Sequence, residues 1–238
     1  MVAQQENSLP DKDVLSWVTV EPTQPATVTL HDVVLPKENT TSPVFDIVAL
    51  AASADGLKAL SQILSGLSAD FPAALVVVQH LSPRHRSLLA EILNRCRPLL
   101  VKQAEEGGQL SPGRVFIAPP DYHLLVNADG SLSLSQTEKV HFVRPAAEIL
   151  FESVAQSYKD RAIAVVLTEG DSDGSRGVQA INKMGGKVIA QDKATSTVWG
   201  MPAAAIETGC VDWVLPLDKI GAAITTLVMY GQIEELLS

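Results

Sequence analysis

The sequence predicts an α/β fold: a doubly wound, mostly parallel sheet with helices on both faces and a small β-hairpin. Three observations carry that prediction. Continuous apolar runs of strand length recur, at residues 44–52 (VFDIVALAA), 73–78 (AALVVV) and 162–167 (AIAVVL). Such runs mark strands buried on both faces. Segments with apolar residues at helical spacing alternate with them. The alternation runs from about Phe45 to the C-terminal region, which implies crossover connections and a covered parallel sheet.

Each element has its own signal. After the first run, residues 56–67 place Leu57, Leu60, Ile63, Leu64 and Leu67 on one helical face. After the second, Ser82 and Pro83 open a helix through about Arg95, with Leu88, Leu89, Ile92 and Leu93 inward. Serine is a favoured N-cap and proline a favoured first helical residue. Residues 115–118 read as a strand, and 122–135 as a hairpin turning at Asp129-Gly130. Pro145 starts a helix through about Tyr158 whose core face holds Ile149, Leu150 and Val154. Residues 174–184 form a helix stopped by Gly185-Gly186. A strand at 188–190, a short helix at 202–207, a short strand at 213–215 and a final helix from about Leu217 complete the reading.

Composition bounds the function. The chain has 238 residues with 27 acidic and 18 basic side chains, a formal charge of -9. An acidic balance argues against nucleic-acid binding, which needs a basic face. No stretch approaches the roughly 20 apolar residues of a membrane span, and the N-terminus lacks a signal-peptide layout, so a cytoplasmic location is expected. Cys96 and Cys210 lack metal-ligand spacing and read as reduced core residues. All 15 glycines lie at or after Gly56, whereas residues 1–43 hold five prolines. Residues 1–43 are therefore read as a disordered or loosely docked extension, and 44–238 as the α/β domain.

In doubly wound folds, sites lie beyond the carboxyl ends of the strands. Ser53 follows the first apolar run, His80 the second, and Asp173 the third after Thr168. A serine, a histidine and a carboxylate at one sheet edge suit acyl transfer. The imidazole takes the hydroxyl proton, and the carboxylate fixes the imidazole tautomer. Each residue alone has a plainer reading: Ser53 as a helix cap, His80 as a satisfied polar group, Asp173-Gly174 as a helix start. His123 and His141 are expected on the surface. Arg84, His85 and Arg86 read as a solvated helix start. Gly107-Gly108 is a turn, and Trp199 and Trp213 are packing residues.

The motifs Ala51-Ala52-Ser53-Ala54-Asp55-Gly56, Val78-Gln79-His80-Leu81, Ile117-Ala118-Pro119-Pro120, Arg144-Pro145, Thr168 to Gly174 and Gly200-Met201-Pro202 stand in order along the chain. Together they resemble the catalytic domain of CheB-type chemotaxis receptor protein-glutamate methylesterases, from about Phe45 to Leu227. The resemblance implies Ser53 as nucleophile, His80 as general base and then acid, and Asp173 as its orienting carboxylate. It implies that Ala54, Gly170 and Met201 belong to the oxyanion and substrate loops. The implied substrate is a methylated chemoreceptor helix or another glutamyl-methylated protein, and some members also deamidate glutamines. Neither a metal or organic cofactor nor membrane insertion is implied. The lead of 43 residues is too short for the receiver domain that many members carry, so a stand-alone catalytic domain is expected. Two alternatives stay open: a weakened or inactive relative that binds receptors or signalling proteins, and a small-molecule esterase or amidase. The sequence departs from the family pattern where Ala51, Asp55, Glu169 and Asp171 replace glycines. A left-handed backbone at such a position would be strained for most residues, and least so for Asp or Asn.

Overall fold

The computed structural model describes residues 42–80, 87–95, 98–168, 170 and 172–233. The expectations for the lead segment up to residue 41, the Ser82-Pro83 helix start, Arg84 to Arg86, Cys96, Glu169 and Asp171 lie outside the described residues.

The strands are β1 (Ile47–Ala52), β2 (Ala74–Gln79), β3 (Leu100–Gln103), β4 (Arg114–Ile117), β5 (His123–Val126), β6 (Leu132–Ser135), β7 (Ala162–Val166), β8 (Lys187–Gln191) and β9 (Trp213–Leu215). The helices are α1 (Gly56–Ser65), α2 (Leu89–Leu93), α3 (Ala147–Tyr158), α4 (Ser175–Lys183), α5 (Gly200–Glu207) and α6 (Leu217–Tyr230). Seven strands form one sheet in the order β3-β4-β2-β1-β7-β8-β9, and β5 and β6 form a separate antiparallel pair. Every pairing in the large sheet is parallel.

Burial follows the pleat, because successive side chains of a strand face opposite sides. In β1, Val48, Leu50 and Ala52 join a core with Leu60 and Ile63 of α1 and Ile220 and Ile224 of α6. Ile47, Ala49 and Ala51 join the opposite core with Leu150 and Phe151 of α3 and Val178 and Ile181 of α4. All six β1 residues are therefore buried, which explains the unbroken apolar run in the sequence. The strand order reverses between β1 and β7, and a reversal of this kind opens a crevice beyond the strand ends.

Several expectations need correction. Leu57, Leu88 and Ile92 are exposed rather than inward, and Ile149 is only half-buried. Leu57 and Leu88 sit at or just before helix starts, where a face is only half covered. The edge strand β3 went unread because Leu100 is exposed and Lys102 and Gln103 break the apolar pattern. His123 is fully buried, not on the surface. Its Nε2 lies 3.0 Å from the Glu138 carbonyl, and its Nδ1 accepts the Ala146 amide at 3.2 Å. Cys210 is a free, partly buried thiol. Among the described residues, no helix is long and apolar enough to cross a membrane.

Candidate active site

The ladder of the sheet continues past its strand ends and sets the site level. His80 N donates to the Ala52 carbonyl at 3.1 Å, and Ser53 N donates to the Thr168 carbonyl at 3.1 Å. Ser53, His80 and Thr168 thus follow β1, β2 and β7 at one edge, on the crevice where the strand order reverses.

Ser53 occupies a tight turn into α1. Its carbonyl accepts the Gly56 amide at 2.9 Å and the Gln79 Nε2 at 2.6 Å. Ser53 is not the helix cap; Asp55 is, at φ 58°, in the left-handed region. Gly56 is required by space: a Cβ there would lie 2.0 Å from Gln79 Oε1 and 2.7 Å from the Ala52 side chain. The amides of Ala54 and Asp55 make no hydrogen bond to a described residue, and both residues are exposed.

Asp173 is 1% exposed. Its Oδ2 lies 2.9 Å from His80 Nε2 and accepts the Ala147 amide at 2.5 Å. Its Oδ1 accepts the Glu148 amide at 3.1 Å. The carboxylate therefore satisfies two of the amides that every helix leaves unpaired at its N-terminus, here on α3. This is a different role from starting its own helix, where Gly174 is the cap at φ 90°. A Cβ on Gly174 would also press on Ala147 and Phe151, at 3.3 and 3.4 Å.

The structure brings His80 and Asp173 together and sets Ser53 on the neighbouring strand end. No hydrogen bond joins Ser53 Oγ to the imidazole among the described residues. Gly170 is exposed beside Val198. Met201 is buried in the first turn of α5 and packs into the α3-side core. Thr168 Oγ1 donates to the Val198 carbonyl and accepts its amide, both at 3.0 Å, which ties the Gly170 loop to the start of α5.

Two residues to which the sequence reading gave no role shape this site. Gln79 is buried, and its amide holds the Ser53 carbonyl. Its place directly before His80 in an otherwise apolar strand is the signal that could have found it. Glu148 is also buried, with Oε1 3.0 Å from Arg176 Nε and its amide on Asp173. Behind α3, burial is the largest cause that lowers the pKa of His123 below its ordinary value of 6.5. A ring that accepts the Ala146 amide has no room for a second proton, and the lowered pKa agrees with that.

A histidine held by a buried carboxylate at the reversal point of a doubly wound sheet, beside a serine in a strand-to-helix turn, places the chain among α/β domains with a polar site at the strand ends. Comparison with known proteins narrows the class. Residues 48–224 match the family model of the CheB methylesterase, and the chain belongs to that family. The protein-glutamate methylesterase/protein-glutamine glutaminase 2 of Caulobacter vibrioides is 40% identical over 195 residues, 80% of this chain and 56% of that protein. The protein-glutamate methylesterase FrzG of Myxococcus xanthus is 41% identical over 182 residues, 76% of this chain and 54% of that protein. The chain thus spans about half the length of these curated relatives. The crystal structure of the Thermotoga maritima CheB methylesterase catalytic domain superposes with a TM-score of 0.75 at 41% identity, covering 77% of this chain and 99% of that one.

Proposed function

We propose that this chain is a serine esterase that hydrolyses glutamyl methyl esters on a chemoreceptor or another glutamyl-methylated protein, through Ser53, His80 and Asp173. The observation that carries the reading is the 2.9 Å contact of His80 Nε2 with the buried Asp173 carboxylate. That contact holds the proton on Nε2, so Nδ1 is the nitrogen that accepts the Ser53 proton. Relatives named as methylesterases and glutaminases support the substrate class.

The chemistry runs in two halves. Ser53 Oγ forms a bond to the ester carbonyl carbon while its proton passes to His80 Nδ1. The tetrahedral oxyanion is met by the amides of Ala54 and Gly170, the former at the N-terminal end of α1. The C–O bond to the methoxy group breaks, and methanol leaves with the proton from His80. Water then attacks the acyl carbon while His80 accepts its proton, and the bond to Ser53 Oγ breaks as His80 returns that proton to Oγ, releasing glutamate. A glutamine substrate would follow the same path and release ammonia. The Ser53 hydroxyl closes on the imidazole when substrate binds, since catalytic hydrogen bonds commonly tighten in the Michaelis complex.

The test is methanol release from a methylated receptor, compared with Ser53→Ala. The esterase releases methanol and the variant does not. Equal rates in both would refute the reading.

A further inference from the structure

The turn from Val140 to Val143 is strained in a way the fold does not require. Val140 and Val143 exchange both backbone hydrogen bonds, at 3.2 and 2.9 Å. They close a two-residue hairpin whose central residues, His141 (φ 49°) and Phe142 (φ 64°), both lie in the left-handed region. Positive φ at both positions is the geometry for which Asn-Gly is favoured. A bulky residue there is an outlier. Burial does not offset the strain, because Phe142 is 93% exposed. Strain of this kind persists where the surroundings over-determine it, and it clusters at functional sites.

The surroundings do over-determine it. Arg144 donates to Asp121 Oδ1 from Nη2 at 2.7 Å and from Nε at 3.2 Å. Its Nη1 donates to the carbonyls of Gln136 and Thr137 at 2.9 and 2.7 Å. His141 Nε2 lies 3.7 Å from the buried Glu148 Oε2, and the Glu148 amide is bonded to Asp173. The turn, the N-terminus of α3 and the carboxylate on His80 are therefore one connected frame. Tyr122 follows Asp121 on the loop that Arg144 clamps, and Val198 stands beside Gly170. Both are exposed. Exposed apolar side chains thus stand on the Phe142 turn, on the loop clamped by Arg144 and beside Gly170.

We propose that the Phe142 turn is a docking finger for the polypeptide that carries the ester. The ring is held rigid to pack on apolar side chains flanking the reacting glutamyl group. This inference rests on the esterase reading. A small ester needs none of this surface, whereas a protein segment that delivers a side chain to Ser53 meets the frame that carries Phe142. Rigid aromatic anchors are efficient here because little conformational freedom is lost on contact.

The test uses the full chain as Ser53→Ala, titrated with a methylated cytoplasmic fragment of a chemoreceptor by fluorescence anisotropy. Adding Phe142→Ala raises Kd about tenfold, the size expected of an interface anchor, and Phe142→Trp keeps the wild-type value. A variant with His141→Asn and Phe142→Gly installs the unstrained pair: its melting temperature rises while binding weakens as in Phe142→Ala. An unchanged Kd in Phe142→Ala, no binding by the parent, or a lower melting temperature in the Asn-Gly variant would overturn the proposal. Methanol release by the wild type is measured in parallel. Its absence, together with binding that depends on Phe142, refutes the esterase reading alone and supports the finger.

Discussion

Asp173→Asn should damage catalysis and stability at once, and the structure gives both magnitudes. Among the described residues, the native carboxylate meets three N–H donors: Oδ2 meets His80 Nε2 and the Ala147 amide, and Oδ1 meets the Glu148 amide. An asparagine has one oxygen and one NH2 group, so one side of it must oppose donors. If the NH2 takes the Oδ2 position, it leaves the Ala147 amide buried without an acceptor and pairs only with an unprotonated Nε2, which moves the ring proton to Nδ1 and removes the base. If it takes the Oδ1 position, the Glu148 amide is buried without an acceptor. The first arrangement matches the wrong-tautomer case, in which the rate falls about 10^4-fold. The amide left without an acceptor in either arrangement costs about 1–3 kcal/mol of stability. The expected outcome is kcat reduced by about 10^3 to 10^4, or about 4–5.5 kcal/mol in the barrier, with a lower urea midpoint at unchanged m. Methanol release and urea unfolding on the same preparation measure both. A folded Asp173→Asn protein within tenfold of the wild-type rate would refute the assignment of Asp173 as the residue that orients His80.

Gln79→Leu removes the 2.6 Å bond to the Ser53 carbonyl and leaves that acceptor with the Gly56 amide alone. A loosened nucleophile turn should lower kcat about 10- to 100-fold with KM nearly unchanged, since small misplacements of reacting groups cost about that much; steady-state kinetics on the methylated receptor checks it. His123→Asn should flatten the acid limb of stability. Burial first, and the Arg144 charge after it, hold the folded pKa of His123 below 6.5, so below that pH the unfolded chain binds the proton that the native state refuses. The stabilisation is complete above pH 6.5 and is lost as pH falls towards the lowered native value. Urea unfolding at pH 7 and pH 5 should show a smaller loss in the variant than in the wild type.

The sheet was legible because its central strands β1, β2 and β7 are buried on both faces and apolar throughout, apart from Gln79 at the end of β2. The helix faces were legible where several turns repeat, as at Leu60, Ile63 and Leu64, and illegible in the five-residue α2, where periodicity cannot choose between Leu88 and Leu89. His123 was misread because its two partners, Glu138 and Ala146, come from segments 15 and 23 residues downstream. No local pattern announces that both ring nitrogens will be matched. Asp173 was legible as a polar residue beyond a strand. Its service to α3 was not, because a helix cap supplied from 25 residues away leaves no spacing signature.

The two described departures from the family pattern, Ala51 and Asp55, sort themselves by what the backbone demands. Ala51 lies inside β1, paired with Val78 and Val166 and fully covered, so nothing there calls for a glycine. Asp55 does take a left-handed φ of 58°, and aspartate is among the residues that tolerate it. Its exposed side chain meets no steric demand. Gly56, where a Cβ would strike Gln79 at 2.0 Å, is retained. The three bonds that fix the Ser53 turn, to Thr168, Gly56 and Gln79, are all present at 3.1, 2.9 and 2.6 Å. At this turn glycine is absent where another residue fits, and kept where the support of the Ser53 turn passes through the space a side chain would fill.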